Sequence, residues 1–205
     1  YWLPNIQDIQ AIIIGGPGAT KDFVVKNEYF HHEIHKKIAA THFDVGYSNE
    51  SGVRELVVNA GSLMGEIELD TERRLMNSFL KEVMQTYPKA TYGEVMIRKA
   101  LEQGAVSNLL ISESLRKRMV DLHCNVCKID WTVSLGRIDA LPSCTKCSSD
   151  STVSEVAERD LIDELTEMAI RSSAGVSFVS TDTEEGLQLY QGFGGLAAML
   201  RYSIG

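Results

Sequence analysis

The chain has 205 residues, 44% apolar and 23% charged, with a formal net charge of -8. That is ordinary globular composition with enough length for one full domain and part of a second, and it excludes a chain that is disordered throughout. The negative field argues against a protein that simply coats nucleic acid, so any RNA contact needs a local basic patch, and a basic protein partner suits the field better. No apolar run approaches the ~20 residues of a membrane span. No signal peptide is visible and the first residue is Tyr1, so the chain reads as a piece of a longer, cytoplasmic protein.

In chain order, Ile9 to Ile14 reads as a buried strand closed by Gly15-Gly16-Pro17-Gly18. A helix is expected from about Asn27 to Ala40, with Phe30, Ile34 and Ile38 on one face. The polar, turn-rich stretch Asp44 to Gly52 is the expected domain boundary. Two helices follow, one from about Val53 to Met64 stopped by Gly65, the other capped by Asp70 and ended before Pro88. Thr91-Tyr92-Gly93-Glu94 fits a capping box opening a helix that stops at Gly104, and Ala105 to Ile111 is a short strand. Beyond the cysteine segment come a helix from about Glu155 to Ser172, a strand Val176 to Val179, a short helix Glu184 to Tyr190 and a last strand Leu196 to Ile204. This alternation implies an α/β fold, a layered α-β sandwich with helices on its sheet.

The only four cysteines form two Cys-x-x-Cys pairs, Cys124/Cys127 and Cys144/Cys147, with sixteen residues between them. Each pair makes a tight knuckle presenting two thiolates, and two knuckles complete a closed tetrahedral site for a structural zinc ion. Two disulfides, four idle thiols or a redox pair are the alternatives, the last needing one pair at a helix N-terminus. The segment from about Met119 to Ser149 is then a small insertion held by its metal, since ~30 residues bury too little apolar surface alone. Neighbouring His123 is expected to support the site or lie on the surface.

Other motifs weigh less. Gly15 to Lys21 follows a strand, as a phosphate loop does, but Thr20-Lys21-Asp22 lacks the hydroxyl after lysine, so a structural turn is expected. His31 and His35 are four residues apart, but no third ligand is evident, and a solvated face is the plainer reading. Gly192-Phe193-Gly194-Gly195 mimics a dinucleotide fingerprint, yet it leaves a helix and enters a strand, the reverse of that motif's context. Arg116-Lys117-Arg118, with Lys128, Arg137 and Lys146, could touch RNA phosphates or simply be solvated. No Ser/His/Asp or Cys/His catalytic set is evident.

Three stretches carry a family resemblance: Ile12-Ile13-Ile14-Gly15-Gly16-Pro17-Gly18 with Lys21; Ala100-Leu101-Glu102-Gln103-Gly104-Ala105-Val106; and Gly192-Phe193-Gly194-Gly195-Leu196 running to Leu200-Arg201-Tyr202. Over nearly its whole length the chain resembles the C-terminal half of an archaeal-type class 1 peptide chain release factor, related to the pelota family. Ala197-Ala198 stands where members often carry glycines.

The resemblance implies that residues 1–47 end the middle domain. Residues 48–205 would form a C-terminal partner-binding domain, related to kink-turn-binding ribosomal proteins, with a zinc-ribbon insertion at 119–150. In full length such a factor recognises stop codons and promotes peptidyl-tRNA hydrolysis on the ribosome through a Gly-Gly-Gln loop, which this sequence lacks. This portion would not be an enzyme. It would dock a translational GTPase of the elongation-factor type and the recycling ATPase, with Gly194, Gly195, Met199, Leu200, Arg201 and Tyr202 as contacts and the helix from about Val53 as a second candidate. A pelota-type rescue factor, a metal-dependent nuclease or hydrolase using His31 and His35, and an RNA-binding ribbon are the competing readings.

Overall fold

A computed structural model of the chain describes residues 9–27, 29–147 and 152–204. Two compact units are present, Tyr1–Thr71 and Glu72–Gly205. In the first, β1 (Ile12–Gly16) and β2 (Ile38–Asp44) pair in parallel, connected through α1 (Thr20–Lys26) and α2 (His32–His35). The helix expected over 27–40 is thus cut short. Lys36 ends α2, and from Ile38 the chain pairs with Ile12, because a ladder of backbone hydrogen bonds outweighs an i, i+4 pattern of three apolar residues.

Next comes α3 (Glu50–Asn59), whose N-cap Asn49 accepts from the amides of Ser51 and Gly52 at 3.1 and 3.3 Å. Leu56 of α3 packs against β1 so closely that a Cβ on Gly15 would lie 2.7 Å from it. The turn at 44–52 therefore lies inside the first unit, and the division between units falls at Thr71/Glu72. The chain then breaks at Ala60 and continues as α4 (Gly61–Val83), through both Gly65 and Asp70. One helical glycine costs about 1 kcal/mol, which a 23-residue helix absorbs.

The second unit is built on a four-stranded sheet in the order β3-β9-β4-β8. Its strands are β3 (Ala90–Tyr92), β4 (Val106–Ser112), β8 (Gly175–Val179) and β9 (Leu196–Leu200), with β4 and β8 parallel and the other pairs antiparallel. On one face Ile97 and Leu101 of α5 (Glu94–Glu102) and Leu165 and Ala169 of α6 (Leu161–Arg171) bury Leu109, Ile111, Leu196 and Ala198. On the other, Met76 and Phe79 of α4 and Leu189 of α7 (Glu184–Gly192) bury Leu110, Val179 and Ala197. Helices therefore cover both faces, giving the layered α/β sandwich the pattern implies.

Local details differ from expectation in three places. Thr91 sits in β3 opposite Ala198, so the N-cap of α5 is Gly93, at φ 79°, without a side-chain cap. The helix expected from Glu155 begins only at Leu161. Residues Val153–Asp160 form β7, an exposed edge strand held to β5 (Lys117–Cys124) by Arg118–Glu155 and Arg159–Asp121 ion pairs at 3.2 and 2.9 Å. The last strand stops at Leu200 rather than Ile204, because Arg201 and Tyr202 turn to the ends of two helices.

Phe79 is fully buried and meets Phe193 edge-on at 5.1 Å. Phe79→Ala is expected to lower stability by about 3–5 kcal/mol, read as a shift of the denaturant midpoint at constant slope. In the first unit, a Cβ on Gly52 would lie 1.8 Å from the Tyr47 carbonyl oxygen. Gly52→Ala should therefore unseat the start of α3, measurable as lost amide protection across Glu50–Asn59.

Candidate metal centre and docking end

The ribbon is a three-stranded antiparallel sheet ordered β6-β5-β7, with β6 spanning Asp130–Gly136. It reaches beyond the expected 119–150 insertion, since β7 supplies an outer strand. Cys124 ends β5, and its knuckle is closed by two backbone bonds: Lys128 N–H to the Cys124 carbonyl at 2.9 Å and Cys124 N–H to the Ile129 carbonyl at 3.0 Å. Lys128 takes a left-handed φ of 57° to make that turn. In the second knuckle the Lys146 amide donates to the Cys144 sulfur at 3.4 Å.

The four sulfurs lie within 4.8 Å of one another, the only such group of three or more His, Cys, Asp or Glu ligand atoms among the described residues. A zinc ion with bonds of ~2.3 Å needs sulfur–sulfur edges of about 3.8 Å. The observed contacts Cys124–Cys147 at 3.6 Å and Cys127–Cys144 at 3.3 Å fit that frame.

Amide donors aimed at sulfur prepare the site for anions. The Cys127 N–H, with the Thr152 hydroxyl, lowers the Cys124 thiol to about 5. The Cys147 and Lys146 amides lower Cys144. Burial, then the neighbouring sulfurs, pushes Cys127 up to about 12. A cation at the centre is what would let all four ionise together. His123 is no ligand here; its Nδ1 meets Asp130 at 2.7 Å across the hairpin.

Several of the remaining sequence candidates fall to structural roles. Lys21 Nζ donates to the Gly18 carbonyl at 2.7 Å and to Asp44 at 2.5 Å, so it offers no free cation to the open cavity of about 480 Å³ beside Gly16, Thr20 and Phe30. His31 caps α2, His32 meets Glu33 at 2.8 Å and His35 lies 3.3 Å from the Val25 carbonyl. In the basic triplet, Arg116 donates to the carbonyls of Glu113 and Leu115 and Arg118 pairs with Glu155 and Glu158.

The docking candidates separate by position. Gly194 and Gly195 turn from α7 into β9 at φ 69° and 78°, and the Gly195 amide donates to the Leu189 carbonyl at 2.9 Å. Leu200 is core, and Met199 packs against the α4–α7 side. Arg201 leaves the sheet and its guanidinium donates to the carbonyls of Gly104, Ser172 and Ser173, with a shortest contact of 2.6 Å. Tyr202 donates its hydroxyl to the Gln103 carbonyl at 2.9 Å. These carbonyls are the C-terminal ends of α5 and α6, where helix dipoles favour a cation. Sequence reasoning found the pair but missed this use; the helix stops at Gly104 and Ser172–Ser173 were its only signal. Tyr202 remains 48% exposed as a residue. Val53, Val57 and Val58 of α3, the second candidate, are also exposed.

Comparison with known proteins accords with this geometry. A family model described as eRF1 domain 3 matches residues 69–204, and one described as eRF1 domain 2 matches residues 1–66. Peptide chain release factor subunit 1 of Thermococcus kodakarensis is 43% identical over 213 residues, covering 99% of this chain and 50% of that protein. The solved C-terminal domain of the peptide chain release factor from Methanosarcina mazei is 39% identical, with a TM-score of 0.62 over 77% of this chain and 98% of that one. A model of ribosome-bound archaeal Pelota and ABCE1 shares the fold at 18% identity, with a TM-score of 0.56 over 99% of this chain and 46% of that one. The chain belongs to the archaeal-type peptide chain release factor subunit 1 family of translation termination factors. It spans about half the length of the curated relatives it matches.

Because Arg201 serves two helix ends, Arg201→Ala is expected to cost about 1.5–3 kcal/mol of stability. A thermal scan reads this directly. Arg201→Lys should recover only part of it, since an ammonium cannot reproduce the guanidinium's planar fork.

Proposed function

We propose that this chain is the docking end of a cytoplasmic release factor. The first compact unit is the end of the middle domain, and the second is the C-terminal domain that binds a translational GTPase of the elongation-factor type and later the recycling ATPase. The match of residues 69–204 to eRF1 domain 3 carries this reading. Stop-codon recognition and peptidyl-tRNA hydrolysis then belong to the full-length factor on the ribosome, and no Gly-Gly-Gln sequence occurs in these 205 residues. No helix among the described residues is long and apolar enough to cross a membrane.

Within that reading Tyr202 supplies the exposed aromatic anchor and Arg201 holds it against the ends of α5 and α6, while Gly194 and Gly195 lie at the opposite end of β9 and would make a separate contact. Titration calorimetry against an archaeal elongation-factor-type GTPase tests it. Tyr202→Ala should weaken binding about tenfold or more, and Tyr202→Phe, which keeps the ring, should not. Unchanged affinity in a folded Tyr202→Ala protein would move the interface elsewhere.

The clasp in the same domain holds one structural zinc ion through Cys124, Cys127, Cys144 and Cys147, supported by their mutual distances. Zinc would supply a crosslink between the knuckles and no open coordination position. Elemental analysis should find one zinc per chain, lost in Cys124→Ser and Cys144→Ser but kept when His31 and His35 become Ala. The opposite pattern would favour a histidine-based metal hydrolase.

A further inference from the structure

We propose that the cysteine clasp is also a reversible redox site that oxidises across its two knuckles, as Cys124–Cys147 and Cys127–Cys144 disulfides, and surrenders its metal in doing so. The proposal rests on the zinc reading for the metal, but its sulfur pairing stands on the geometry alone. Sulfur contacts of 3.6 and 3.3 Å already run from one knuckle to the other. A disulfide of about 2.05 Å needs them to close by only roughly 1–2 Å.

Burial adds direction. Cys147 is exposed and Cys127 half-buried, while Cys124 and Cys144 are buried. Each cross-knuckle pair therefore joins an outer sulfur, reachable by a small oxidant, to an inner sulfur placed to resolve it. With hydrogen peroxide as oxidant, the Cys147 thiolate attacks one peroxide oxygen. The O–O bond breaks, a sulfenic acid forms and hydroxide leaves. Cys124 then attacks the sulfenic sulfur, the S–O bond breaks and a second hydroxide leaves as the disulfide forms. Counted as thiols, two thiols and one peroxide give one disulfide and two waters, and a second peroxide serves Cys127 and Cys144 in the same way. Sulfur in a disulfide is no longer an anionic ligand, so the zinc ion leaves.

The pairing decides the structural outcome. Disulfides within each Cys-x-x-Cys would leave the knuckles unlinked once the metal is gone. Disulfides across them keep the end of β5 tied to the segment at 144–147, so the ribbon stays closed without metal.

The test uses the whole chain, zinc-loaded and chelator-stripped, treated with hydrogen peroxide. Readouts are free thiols, zinc captured by a chromogenic chelator, and non-reducing peptide mapping. The expected result is zinc release in step with thiol loss, both cross-knuckle peptides, and full recovery of zinc content with dithiothreitol and added zinc. Peptides joined Cys124–Cys127 and Cys144–Cys147, or thiols converted irreversibly to sulfinic acid, would overturn the proposal. So would zinc and thiols that persist at oxidant levels which oxidise the stripped chain. Protein that never binds zinc would end the metal reading by itself, while the stripped chain would still decide the sulfur pairing.

Discussion

The second unit depends on β9 being apolar on both faces. Leu196, Ala198 and Leu200 point to α5 and α6, while Ala197 and Met199 point to α4 and α7. A central strand covered on both sides by helices cannot carry the polar alternation of a half-exposed one. That requirement propagates along the chain in both directions. Before the strand, the chain must reverse from α7 within a residue or two, which the left-handed glycines Gly194 and Gly195 allow. After it, the first side chains free to be polar are Arg201 and Tyr202, and they emerge where α5 and α6 end. The Gly-Phe-Gly-Gly…Leu-Arg-Tyr run is thus one continuous structural device: turn, buried strand and helix clamp.

The ribbon obeys a different economy of forces. Met119, Val120 and Leu122 of β5 are buried, but β7 is exposed along most of its length and leads directly to the Asp160 cap of α6, whose carboxylate accepts from Ile162 N–H at 2.8 Å. At the sheet end the strands are therefore held by the domain itself. At the cysteine end no comparable apolar cluster exists among the described residues. A metal held by the four sulfurs, as proposed, would fix the end that packing leaves loose, which is how small metal-bearing modules reach stability.

What the sequence made legible follows from range. The cysteine spacing was sufficient because a knuckle is a local geometry, and the structure brings the two knuckles together. The strands at 106–112 and 175–179 and the helix from Glu184 were readable because apolar runs and caps are local too. Failures came where a distant partner decided the conformation. Residues 38–44 become a strand only because β1 lies beside them, and residues 153–160 only because β5 does. Glu155, Glu158 and Arg159 fall within the helix expected from Glu155, yet two cross-strand ion-pair sites use them. Thr91-Tyr92-Gly93-Glu94 matched a capping box, but strand pairing claimed the threonine first.

The clamp at Arg201 changes how a docking motif in this place should be understood. Its guanidinium donors face helix-end carbonyls inside the domain, so the side chain is a positioning residue rather than a projecting contact. Loss of binding on its removal would then arise from displacement of the segment after β9 and of the Tyr202 ring. The two residues differ in kind. Tyr202 uses one hydroxyl to anchor itself to Gln103 and leaves nearly half of its surface open, whereas Leu200 beside it is sealed in the core. The proposed interface would therefore be built on a rigidified edge. The entropy of ordering Arg201 and Tyr202 is lost when the domain folds, so it does not have to be lost again when a partner binds.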